Sequence, residues 1–327
     1  MHELKGLHHV TAITSSAEKN YDFFTYVLGM RLVKKSINQD DIHTYHLFFA
    51  DDEGSPGTDM TFFDFPGIPK GTHGTNEFYR TSFRIPSDEA LSYWEKRFNR
   101  LQVRHEGIQE VLGKKVLPFE DFDEQKYQLI SDEGHQGAAG GTPWKKGPIP
   151  DEFAITGLGP MVTRVKDIGI FDKMITELMG FTLDKQEDNL RLYSVGEGGN
   201  GAQVITEHRD DLPNVQQGFG TVHHTAFRVE DKEALDHWTD RLNSYRFPNS
   251  GFVDRFYFKS LYARLAPNLL FEFATDGPGF MEDEPYETLG EKLALPPAFE
   301  AKRESIEKQV RPIDTVRSTK NIEKEYE

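Results

Sequence analysis

No cysteine occurs in the 327 residues. Thiolate ligands, thiol nucleophiles and disulfides are thereby excluded, and any metal must be held by His, Asp, Glu or Tyr. No apolar run approaches the ~20 residues that span a bilayer. The opening Met1-His2-Glu3-Leu4-Lys5 has no apolar signal core, so the chain reads as cytoplasmic. Positive charge is also in short supply, with 38 Lys and Arg against 54 Asp and Glu, a formal net charge of −16. Such a surface repels phosphates, which argues against nucleic acid and anionic membrane as partners.

What the chain has instead is repetition. Thr221-Val222-His223-His224-Thr225-Ala226-Phe227-Arg228-Val229 reads as a buried strand led by two histidines. Leu7-His8-His9-Val10-Thr11-Ala12-Ile13 carries the same pair. Phe78-Tyr79-Arg80-Thr81-Ser82-Phe83-Arg84-Ile85 keeps the Thr-x-Phe-Arg-aliphatic ending without histidines, and 158–165 keeps only the outline. Each copy leads into a helix and then three strands. In the first, Ser15-Ser16 caps a helix that Gly29 ends, and strands follow at 31–36, 43–50 and 60–65. In the second, Ser87-Asp88 caps the helix and strands fit 103–109, 113–120 and 126–132. The third has its helix after Asp167 and strands near 181–185, 190–195 and 202–207. The fourth has a helix at 232–243 and strands near 251–254, 257–265 and 269–274.

Four βαβββ units predict an α+β fold of paired modules forming two open, cup-shaped sheets. The boundary falls in 134–151, where glycines and prolines break all periodicity. The expected division is 1–150 and 151–295, each half holding two modules, followed by a charged helix (about 298–309) and fraying tail over 296–327.

Overlaying the units places His9, Arg80, Pro160 and His224 at one equivalent position. Met60, Gln128, Gln203 and Glu272 fall at another. Only the first and fourth units then hold ligands, giving two histidines and one carboxylate, the set that leaves open positions on non-haem Fe(II). Only a sheet shared between the first and fourth units brings these residues together. Glu272 sits in the apolar run Leu269-Leu270-Phe271-Glu272-Phe273-Ala274, and a buried carboxylate is costly unless paired or coordinated. Neighbouring histidines on a regular strand face opposite ways, so spacing alone does not choose between His8 and His9, or between His223 and His224. The partner of each ligand stands behind it, or reaches the site where the strand bulges. His43 and His46 read as packing or supporting groups.

From Leu7 to Phe280 these features resemble the vicinal oxygen chelate superfamily, and within it the ring-cleaving dioxygenases of hydroquinones. The resemblance rests on Leu7-His8-His9-Val10-Thr11, Tyr45-His46-Leu47-Phe48-Phe49-Ala50-Asp51, Gly54-Ser55-Pro56-Gly57-Thr58, His223-His224-Thr225-Ala226-Phe227 and Phe271-Glu272. It implies that His9, His224 and Glu272 bind the metal, and that His8, Thr11 and His223 are polar groups around the substrate. Arg255 and Tyr262 match an arginine and tyrosine lining the family's pocket. The loop before Arg255 is shorter than in those enzymes, which leaves the ring substituents open. The implied cofactor is Fe(II), with Mn(II) favouring similar ligands and Zn or Ni competing on purification. The implied partners are a small aromatic diol and O₂, and His8, His223 or Tyr262 would relay the ring hydroxyl proton. A homodimer is the default assembly. The same scaffold hosts glyoxalase-like isomerases and thiol transferases, which want a further carboxylate where the overlay puts Met60, and non-catalytic aromatic-binding resistance proteins.

Overall fold

The strand order is set by pairing between units distant in sequence. A computed structural model describes residues 2–134 and 136–325; His135 in the expected linker and Tyr326 and Glu327 in the expected tail lie outside the described residues. The first unit comprises β1 (Leu7–Ile13), α1 (Ala17–Asp22), β2 (Arg31–Asn38), β3 (Asp41–Ala50) and β4 (Asp59–Phe63). The second comprises β5 (Glu77–Ile85), α2 (Asp88–Leu101), β6 (Gln109–Val111), β7 (Lys114–Glu120) and β8 (Lys126–Ser131). After β9 (Gly157–Leu158), the third runs β10 (Met161–Val165), α3 (Ile168–Lys173), β11 (Thr182–Glu187), β12 (Leu190–Ser194) and β13 (Gln203–His208). The fourth runs β14 (Val222–Val229), α4 (Lys232–Ser244), β15 (Val253–Asp254), β16 (Phe258–Ala266) and β17 (Leu269–Pro278).

Two open sheets result. The first has the order β15-β16-β17-β14-β1-β4-β3-β2, and the second the order β11-β12-β13-β10-β5-β8-β7-β6. The first and fourth units thus share one cup, joined along an antiparallel seam of β1 and β14, and the second and third share the other. Side-chain caps start the helices: Ser16, Ser87, Asp167 and Asp231 each accept a hydrogen bond from the backbone three residues on. Both α1 and α3 end in a wider π turn, Phe23–Val27 and Met174–Leu178, before a left-handed Gly29 or Gly180. The outer faces of the sheets and the helices form one core, in which Phe24, Phe62, Phe83 and Tyr127 join the first unit to the second. No helix of the described residues is long and apolar enough to cross a membrane.

Two expectations are corrected. The strand expected over 103–109 shrinks to β6, because α2 continues to Leu101 and the residues after it meet β7 only through an isolated bridge, His105 to Phe119, while Val103 packs on the core. The expected helix over 298–309 is two short ones, α5 (Pro297–Glu300) and α6 (Arg303–Glu307), and described residues of the tail bond to the body of the chain. Buried Lys35 donates to Thr315 Oγ1 at 2.9 Å, Arg97 and Arg100 pair with Glu325, and Lys324 donates to the Ile149 carbonyl at 2.9 Å. The sequence did not disclose these contacts, because Lys35, Arg97, Arg100 and the Ile149 carbonyl lie far along the chain from the tail.

Candidate metal centre and active site

Each histidine pair sits on a bulge. Along the seam Leu7 faces Phe227 and His9 faces Ala226, so His8 is an extra residue in β1. Farther on, Thr11 faces His224 and Ala12 faces Val222, so His223 is an extra residue in β14. A bulge re-aims side chains that strict alternation would send to the opposite face. That is how both members of each pair reach one region.

His9, His224 and Glu272 converge from three strands, all buried. The two Nε2 atoms are 3.2 Å apart, and each lies 3.0 Å from Glu272 Oε2. The other ring nitrogens are already engaged. His8 Nε2–H donates to the Thr275 carbonyl at 3.0 Å, leaving His8 Nδ1 to accept from His9 Nδ1–H at 2.9 Å. His223 and His224 repeat the Nδ1–Nδ1 contact at 2.8 Å. With their Nδ1 atoms so occupied, the Nε2 lone pairs of His9 and His224 point at one another and at Glu272 Oε2, a fully buried oxygen without a hydrogen-bond donor. Ser260 Oγ donates to the other carboxylate oxygen at 2.6 Å and fixes its direction. Three converging lone-pair donors repel unless a cation stands among them, so this set fits a divalent metal.

The register corrects two sequence assignments. Glu272 pairs with Ala226, two residues past His224; two past His9 is Thr11, whose partner is Thr61. Thr61, and not Met60, therefore occupies the position equivalent to Glu272. In the second unit Ser82 pairs with Gln128 as expected, whereas in the third Val162 pairs with Ile205, which displaces Gln203. Thr61 Oγ1 lies 2.7 Å from Thr11 Oγ1 and 2.9 Å from His46 Nε2, giving a Thr11–Thr61–His46 chain beside the ligands.

The centre opens on a cavity of about 430 Å³. Its walls include His46, Phe48, Phe63, His223, Tyr257, Phe258, Tyr262 and Leu270, and Asn38, Gln39, Asp40, Asp41 and Arg255 lie along it as well. Of the residues anticipated around a substrate, His223, Tyr262 and Arg255 line this space. His8 and Thr11 do not; they are buried, with their polar atoms committed to His9, Thr275 and Thr61. His43 is exposed and pairs with Asp41. Asp40 and Thr61 gave no signal in the sequence, because their partners are distant along the chain.

 Arg255 stands 215 positions along the chain from Asp40, and His46 stands 15 from Thr61.

Electrostatics follow from burial. Removal from water, and next the charge of His9, lowers the His8 imidazole to about 3; removal from water, and next His224, lowers His223 to about 3. Both rings are therefore neutral, as their hydrogen bonds require. Burial alone would raise Glu272; without a metal, His9 and His224 would hold its carboxyl well below the usual range only by carrying protons toward it. Burial pushes the Tyr262 phenol upward, so it stays protonated and able to donate.

The fold and the centre together define a class. The chain belongs to the ring-cleaving dioxygenases of the Glyoxalase/Bleomycin resistance protein/Dioxygenase superfamily, whose profile matches residues 158–277. It is 43% identical over 316 residues to a Bacillus subtilis protein named as a ring-cleaving dioxygenase, MhqA, covering 95% of this chain and 99% of that one. It is 30% identical to the chlorohydroquinone/hydroquinone 1,2-dioxygenase of Sphingobium indicum, covering 93% and 95% of the two chains. A solved structure of a Bacillus subtilis protein described as a dioxygenase superposes with a TM-score of 0.89 at 32% identity, over 97% of this chain and 99% of that one. Maize glyoxalase I shares the fold at a TM-score of 0.58 and 12% identity, over 83% and 92% of the two chains.

Proposed function

We propose that this chain is a metal-dependent, extradiol-type dioxygenase that cleaves the ring of a hydroquinone-like, or catechol-like, aromatic diol with O₂. The observation that carries this reading is the His9–His224–Glu272 set, with its unpartnered Glu272 oxygen, at the wall of an aromatic cavity. The relative from Sphingobium indicum, named for hydroquinones, supports the substrate class. Two neutral imidazoles and one carboxylate suit Fe(II), or Mn(II), and leave coordination positions free. When bound, the ion supplies Lewis acidity toward a ring hydroxyl and redox chemistry toward O₂.

The remaining work belongs to the protein. Phe48, Phe63, Tyr257 and Phe258 offer apolar faces to a flat ring and exclude water. The neutral His223 imidazole, whose Nδ1 accepts from His224 Nδ1–H, presents Nε2–H as a donor to a ring oxygen. Tyr262, still protonated, donates to a developing oxyanion. Thr61 in place of a second carboxylate counts against the isomerase reading, because it leaves the three-donor set without a further anionic ligand.

The test is O₂ uptake by anaerobically Fe(II)-loaded protein given methylhydroquinone or, separately, catechol, beside His224→Ala. Uptake with methylhydroquinone that disappears in the variant is expected. Uptake with catechol alone would keep the chemistry and change the substrate. No uptake with either diol, at stoichiometric iron, would overturn the reading.

A further inference from the structure

The first sheet ends on β2 at one edge and β15 at the other, yet its curl brings the turns beside these edges together across the cavity. Gln39 Nε2 donates to the Arg255 carbonyl at 2.9 Å. The Arg255 guanidinium sends Nη2 to Asp40 Oδ2 at 2.9 Å and Nη1 to Asp40 Oδ1 at 3.3 Å, a two-pronged pair. Its Nε donates to Tyr262 Oη at 3.2 Å. All three nitrogens of the guanidinium thus already have partners. Among the described residues lining the cavity, Arg255 is the only Lys or Arg, and Asp40 and Asp41 are carboxylates beside it.

A lone arginine beside a diol site would ordinarily recruit a carboxylate on the ring, since its planar fork matches that group. Here the fork is taken by Asp40, and an incoming anion would also face Asp41. We propose that Asp40 is a specificity-determining residue: by occupying Arg255 it makes the cavity select diols whose ring substituents are uncharged over diols bearing a carboxylate. The inference rests on the ring-cleaving reading above. Asp40 is largely exposed and Arg255 is mostly buried, so the carboxylate is the mobile partner and the guanidinium the fixed one. Removing the carboxylate leaves Arg255 in place with its fork free.

The experiment is anaerobic calorimetric titration of the Fe(II)-loaded protein with two matched pairs. One is methylhydroquinone and the para-diol ring carrying an acetate arm; the other is methylcatechol and its acetate-bearing counterpart. In the wild type the acetate-bearing member of the accepted pair binds about tenfold or more weakly, an effect of two carboxylates facing the ligand. In Asp40→Asn the ratio narrows about threefold or more through tighter binding of the anionic member, the scale of a partly exposed ion pair. Asp40→Glu keeps the wild-type ratio, and Asp40→Asn combined with Arg255→Gln loses the gain. A merely structural role would weaken both members together and leave the ratio unchanged, which overturns the proposal. So does a wild-type ratio near one. If methylhydroquinone is bound and consumes O₂ while the ratio ignores Asp40, only this inference fails. If no diol binds in either pair, the ring-cleaving reading fails with it.

Discussion

His9 Nε2 and His224 Nε2 stand 3.2 Å apart across the seam of β1 and β14, although 215 positions separate them in the chain. Two equivalent units have been joined so that each contributes one imidazole, and the fourth unit alone adds the carboxylate. The centre therefore depends on long-range pairing as much as on its own ligands.

Ser260 tests the support behind those ligands. Its hydroxyl orients Glu272 from the side opposite the imidazoles. Ser260→Ala should weaken metal affinity by about tenfold or more, as loss of an orienting hydrogen bond does elsewhere. Competition against a fluorescent chelator measures this, and an unchanged affinity would show that packing alone aims the carboxylate.

Metal should also stabilise the fold. The ligand atoms repel one another without a cation, and binding to the native state adds stability by mass action, about 2.7 kcal/mol at a free concentration 100 times Kd. Thermal unfolding with and without metal should therefore give a higher Tm for the loaded protein. In Glu272→Gln the increment should be largely lost. An equal increment in that variant would place the metal elsewhere.

Lys34 is fully buried and pairs with Asp283 at 2.6 Å and with Glu284. Asp283 in turn accepts from the Tyr257 hydroxyl at 2.8 Å, and neighbouring Phe280 packs on Phe48, so this segment backs the cavity wall. Lys34→Met leaves two carboxylates without their cation. It should cost about 3 kcal/mol or more and lower turnover even at saturating metal. Urea unfolding and kcat check both halves; an unchanged unfolding midpoint would mean that the segment holds without the pair.

Asp121 carries a pH dependence. Burial, and next the charge of Asp123, raises its carboxyl to about 7, against an ordinary value of 3.8. The folded chain thus holds a proton that the unfolded chain releases at lower pH. Stability from this group is complete below about pH 4, declines as pH rises to about 7, and is flat beyond. Asp121→Asn can still accept from the Asp123 and Gln125 amides and can donate to Tyr127. It should therefore lose less stability than the wild type between pH 5 and pH 8, by on the order of a few kcal/mol. Parallel slopes for the two proteins would assign the raised value to neither state.

Much of this was legible before any coordinates. Four echoes of one strand disclosed the repeat, and a carboxylate within an apolar run marked Glu272 because burial of a lone charge is costly. The bulges were not legible, since alternation is a property of regular strands and the extra residue shows only in the pairing. Nor was Thr61, because aligning β4 by its sequence is uncertain by one position, and one position changes the face. His8 and Thr11, expected around the substrate, stand behind the cavity wall with their polar atoms on His9, Thr275 and Thr61.

Local pattern and composition were enough for the repeat, the helix caps, the absence of thiol chemistry and the residue types able to ligate. Which nitrogen of each histidine is free, where the strands bulge, and that Arg255 is already held by Asp40 came from the folded chain alone. Those facts depend on strand register and sheet curvature, which bring together side chains with no local signal of one another.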